Sequence, residues 1–132
     1  MNNVVVLIGR ILLAAIFILA GFGKLSDING TVGYFSMYNI PGGMVTAVGV
    51  GLVEFLGGLG ILVGFQTRIV AWVMAVFSVA TALVAHMNWA DMMQLINFQK
   101  NLAIAGGFLV LATYGPGALS VDARRGVEFA TA

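Results

Sequence analysis

The chain has 132 residues, 61% of them apolar and only 8% charged, with a formal net charge of +1. A soluble domain carries about 25% charged residues, so there are too few polar side chains here to cover a water-facing surface, and lipid is the expected solvent. The near-neutral charge gives no sign of a nucleic-acid partner, and the lack of cysteine excludes disulfides, thiol relays and cysteine-ligated iron–sulfur clusters.

Charges punctuate the sequence and mark out its spans. None lies between Arg10 and Lys24, only Glu54 lies between Asp27 and Arg68, and none occurs over 69–90 or 101–121. A spanning helix needs about 20 mostly apolar residues. Four are predicted, at approximately 4–24, 44–65, 69–88 and 99–114. The first is too long and too well followed by further spans to be a cleaved signal peptide. Gly115-Pro116-Gly117 ends the fourth. The expected fold is all-α: a polytopic membrane four-helix bundle forming one domain over 1–132, with 115–132 as a short cytoplasmic tail.

Two connections are longer than turns. Residues 28–43 carry Tyr34, Phe35 and Tyr38, and residues 88–100 carry Trp89 and Phe98. Aromatic rings in such places favour the membrane–water interface, so a short interfacial helix is expected between spans one and two and another between spans three and four. The link Gln66-Thr67-Arg68 reads as a tight turn. Arg10, Arg68, Arg124 and Arg125 fall on one side, and Lys24 and Lys100 on the other. That bias places both termini in the cytoplasm.

Glu54 stands near the centre of the second span. A carboxylate there costs several kcal/mol unless it is protonated, paired or hydrated. Its neighbours one turn away include Gly51, Gly57 and Gly58, a small-residue face suited to close helix packing. Arg10, inside the first span, is the expected partner, and Arg10 with Glu54 forms the candidate intramembrane polar centre. The alternative is that Arg10 reaches the head groups and a protonated Glu54 bonds to a hydroxyl or carbonyl.

Lys24, His86, Lys100 and Asn101 fall together at the opposite side and form a candidate ligand-binding outer mouth for an anionic or quinone-like head group. The plain alternative is that the lysines are interfacial anchors and that His86 is a satisfied hydrogen-bonding group. A lone histidine makes a metal site on one chain unexpected. The glycines form no dinucleotide fingerprint, because they lack the strand–turn–helix setting. There is no complete catalytic motif.

The order of motifs resembles the DoxX family of small bacterial inner-membrane proteins. The matching pieces are Arg10, Gly21-Phe22-Gly23-Lys24, Glu54 before its glycines, and Gly64-Phe65-Gln66-Thr67-Arg68. Later come His86-Met87-Asn88-Trp89, Asn97-Phe98-Gln99-Lys100-Asn101, Ala105-Gly106-Gly107-Phe108 and the close on Gly115-Pro116-Gly117-Ala118-Leu119-Ser120-Val121-Asp122. The resemblance implies a four-helix bundle in the inner membrane. It also implies an accessory or quinone/lipid-binding subunit of a membrane redox system, acting with an oxidoreductase partner or as a homo-oligomer. Quinone is the cofactor class this suggests, with neither haem nor an iron–sulfur cluster expected on the chain. Two other readings stand beside it: a structural or assembly partner without chemistry, and a small proton or solute transporter marked by Glu54.

Overall fold

The computed structural model describes residues 2–129. Four long apolar helices are joined and sealed by two short ones: α1 (Asn3–Ser26), α2 (Ile28–Met37), α3 (Gly43–Val63), α4 (Thr67–Ala85), α5 (Met92–Tyr114) and α6 (Val121–Arg124). The four long ones are each apolar and long enough to cross a membrane. No strand occurs among the described residues.

Local chemistry sets the boundaries. The Asn2 side chain accepts from the N–H groups of Val4 and Val5, capping α1. Asp27 breaks the run after Ser26 and caps α2, accepting from the Gly30 N–H at 3.0 Å. The chain then reverses through Asn39, Gly42 and Gly43, all at positive φ, into α3. Gly64, at φ 70°, closes α3 in the left-handed conformation that glycine adopts without strain. Asp91 caps α5 by accepting from the Met93 N–H at 2.9 Å. That cap starts the helix at Met92, so residues through Lys100 form the first turns of the fourth spanning helix instead of a separate interfacial one. The link 28–43 does contain its own helix, α2.

The bundle is built as two tight pairs, α1 with α3 and α4 with α5. Glycine permits the first. A Cβ on Gly21 would stand 2.5 Å from the Phe55 nitrogen and 2.8 Å from the Gly51 oxygen. The two backbones therefore touch with no side chain between them. Between the pairs lies a core of Ala14, Phe17, Ile61, Met74 and Phe108, with the Phe17 and Phe108 rings 5.5 Å apart. Outward-facing apolar side chains such as Leu12, Leu19 and Val45 are 70–82% exposed, the surface expected of a bundle solvated by lipid.

Residues beyond Gly115 are not a free tail where described. They fold back beneath the bundle, and α6 buries Asp122. This end, which carries both ends of the described chain, is sealed. The opposite end, under α2, is hollow.

Candidate functional site

The polar groups inside the bundle sort into two places. At the sealed end, Arg10 is 2% exposed. Its Nη1 donates to the Pro116 carbonyl at 2.8 Å, and its Nη2 donates to Leu62 and Leu119 carbonyls at 3.0 and 2.9 Å. The guanidinium thus satisfies orphan carbonyls at the end of α3 and in the segment after α5.

Asp122 completes this knot. α4 has no side-chain cap of its own, since Gln66 occupies the cap position at φ 48° without bonding to the helix. Asp122 supplies the cap from far along the sequence, accepting from the Gln66 and Thr67 N–H groups at 2.9 and 2.8 Å. The Asp122 N–H in turn donates to the Gly64 carbonyl at 2.9 Å. The sequence reading gave Asp122 no role. The available signal was a spanning helix that opens without a capping residue.

Arg10 does not pair with Glu54, contrary to the expectation above. The reason is register. Arg10 stands beside Gly64, and Gly64 lies ten residues from Glu54 along α3, about 15 Å at 1.5 Å per residue. Glu54 is instead level with Gly21, whose near neighbours are Gly51 and Phe55. Its partner is Lys24, one turn further along α1: Nζ donates to Glu54 Oε2 at 2.8 Å. So Glu54 belongs with the outer group, and the expected polar centre divides in two.

That outer group lines a cavity of about 530 Å3 between the two helix pairs. Lys24 and Glu54 form one side, and His86 and Asn101 the other. Lys100 is exposed and is not part of the wall. Phe17, Phe77, Phe35, Tyr34 and Tyr38 supply aromatic surface, the last three carried over the cavity by α2 and the link that follows it. Phe35 is buried, anchoring α2, and the Tyr34 and Tyr38 rings lie 4.9 Å apart. Their hydrogen bond, then burial, pushes the Tyr34 phenol up to about 12, so it stays neutral.

His86 is the first residue beyond α4. Its N–H donates to the Ala82 carbonyl at 3.1 Å, and its carbonyl accepts from Trp89 Nε1 at 3.1 Å. The residue is held by its backbone on both sides, and its Nδ1 is buried. Burial pushes the imidazole below its usual range, which keeps it neutral at pH 7. Ser78 and Thr81 also line the cavity but spend their hydroxyl protons on the Met74 and Phe77 carbonyls. The cavity is therefore an apolar, aromatic chamber with one ion pair, one imidazole and one amide.

The chain is similar to known proteins. The family model described as DoxX matches residues 5–87. Inner membrane protein YqjF of Escherichia coli (strain K12) is 46% identical over 122 residues, covering 92% of each chain. Inner membrane protein YphA of the same organism is 39% identical over 127 residues, covering 92% of this chain and 90% of its own. No solved structure matches the chain.

Proposed function

Since the chain belongs to the DoxX family, we propose that it is a multi-pass inner-membrane protein that holds a quinone-type ligand in the cavity beneath α2, on behalf of a partner oxidoreductase. The observation that carries this reading is an aromatic chamber of about 530 Å3 whose polar wall groups are the Lys24–Glu54 pair, His86 and Asn101. Chambers of roughly 300–1,000 Å3 suit small ligands and cofactors, with a few polar groups setting orientation.

The wall chemistry fits a neutral ring bearing oxygens. Lys24 and Glu54 neutralise one another, so the chamber has no net charge with which to attract a free anion. Lys24 has three donors and spends one on Glu54. Its remaining N–H groups and the Asn101 amide can donate to ring oxygens, and the His86 imidazole adds a polar edge to the wall. A bound quinone supplies the redox chemistry. This chain binds the ring, orients it and keeps water from it.

The test is saturable binding of decyl-ubiquinone to purified protein in nanodiscs, read by quenching of Trp89 in a Trp72→Phe background. Wild type should bind, and His86→Ala or Lys24→Met should weaken binding about tenfold, the loss of one hydrogen bond to a charged or buried group. Absence of saturable quenching in folded wild type removes the reading. Co-purification of an oxidoreductase with tagged protein tests the partner.

The satisfied Lys24–Glu54 pair also favours a second reading, an assembly partner in which that pair only fixes helix packing. Full in vivo phenotype from Lys24→Leu with Glu54→Leu would support it. For orientation, we place both termini in the cytoplasm. Arg68, Arg124 and Arg125 are exposed at the sealed end, whereas Lys100 is the exposed cation at the other. A carboxy-terminal green fluorescent protein fusion should fluoresce. A dark fusion with an active alkaline phosphatase counterpart reverses the assignment.

A further inference from the structure

We infer that the ligand of this chamber enters sideways from the lipid, through a portal between α1 and α2, with the Tyr34 ring as its door. The inference rests on the quinone reading above and adds a route to it. A second hollow, about 480 Å3, lies in the angle between α1 and α2. It shares Ala20, Lys24 and Tyr34 with the main chamber, so those three side chains border both spaces.

The hollow is open because its walls are short. Gly23 contributes no side chain, and a Cβ built there meets nothing within 4 Å. Its rim faces lipid: Leu19 is 71% and Tyr34 51% exposed. Its floor is polar, with Asp27 and Thr31 beside Lys24. An apolar rim over a polar floor matches an amphiphile whose ring travels at head-group depth and whose tail stays in the bilayer. The sealed end offers no competing entrance, because Arg10 and Asp122 tie the segment after α5 across it.

The door must be a side chain and not the whole of α2. The Thr31 hydroxyl donates to the Lys24 and Asp27 carbonyls at 3.2 and 2.9 Å, tying α2 to the end of α1, and Phe35 is buried. Tyr34, half exposed between these anchors, can swing by a rotamer change that gives up its contact with Tyr38. Passing it, a ring meets the Lys24 ammonium first and His86 last.

The test uses the Trp72→Phe protein in nanodiscs and stopped-flow quenching of Trp89 by decyl-ubiquinone. Gly23→Phe fills the hollow from outside the chamber. It should slow association and dissociation together by fivefold or more while leaving equilibrium affinity within twofold. Gly23→Ala, a single methyl in open space, should keep wild-type rates and controls for the loss of glycine. Tyr34→Ala should speed both rates. Wild-type kinetics in Gly23→Phe, with its affinity retained and helical circular dichroism unchanged, would overturn the portal while leaving the binding reading intact. No quenching in wild type would instead overturn the binding reading, and the portal with it.

Discussion

Asp122 caps the helix that begins at Thr67, its two carboxylate oxygens holding the Gln66 and Thr67 N–H groups at 2.9 and 2.8 Å from 56 and 55 residues further along the sequence, beyond two spanning helices. The starts of α1, α2 and α5 are capped by the residue just before them, Asn2, Asp27 and Asp91. Here the cap is tertiary. It makes the segment after α5 part of the bundle's folding unit.

Asp122→Ala should therefore destabilise the bundle by about 2–4 kcal/mol, since two buried backbone donors lose a charged acceptor at once. Asp122→Asn keeps one acceptor oxygen and should lose about half as much. Unfolding in graded sodium dodecyl sulfate, followed by circular dichroism, measures both.

Arg10→Met should loosen the same end without touching the chamber. Three carbonyls lose their donor, and the strap they hold should detach. Limited trypsin digestion should then cut at Arg124 and Arg125 several times faster than in wild type. An unchanged digestion rate would mean that the strap is held without Arg10. Decyl-ubiquinone affinity should stay at its wild-type value.

Removing one member of the Lys24–Glu54 pair should do more harm than removing both. Glu54 is 7% exposed, and a charge left there unpaired costs about 3–5 kcal/mol, whereas an apolar replacement of the pair is often neutral. Lys24→Leu should thus be less stable than Lys24→Leu with Glu54→Leu. Equal stability of the single and double variants would show that the two charges are not coupled.

The α1–α3 contact gives a prediction with a built-in contrast. Gly21→Ala places a methyl against the backbone of Phe55 and Gly51, forcing the pair apart at about 1–3 kcal/mol, the usual cost of overpacking. Gly106→Ala puts the same methyl into open space on α5 and should be neutral or stabilising by about 0.5–1 kcal/mol. The melting temperature should fall for Gly21→Ala and should not fall for Gly106→Ala.

Composition alone determined the solvent and the class. With 8% charged residues against 61% apolar, there is no way to build a water-soluble shell, and charge-free runs of the right length leave four helices as the economical answer. The aromatic link before α3 was legible too, because Tyr34, Phe35 and Tyr38 sit between two spans, where rings favour the interface. The set Lys24, His86 and Asn101 was legible as one group, since helix ends alternate sides and these three fall together.

Which charge meets which was not legible, and only the tertiary structure decided it. Counting from helix ends puts Arg10 within reach of Glu54, because composition does not reveal how far one helix slides along another. That sliding is set by Gly21, Gly51 and Gly58, where backbones seat against each other. Their seating brings Glu54 level with Gly21 and Arg10 level with Gly64. The role of Asp122 was hidden for the same reason: it is polar in sequence, but it caps a helix whose bare start becomes visible only when the chain is folded. Periodicity and charge determine which residues enter the membrane, because transfer from water to lipid is a property of each segment. Registry and long-range caps are properties of pairs of segments, and they appear only once the backbones touch.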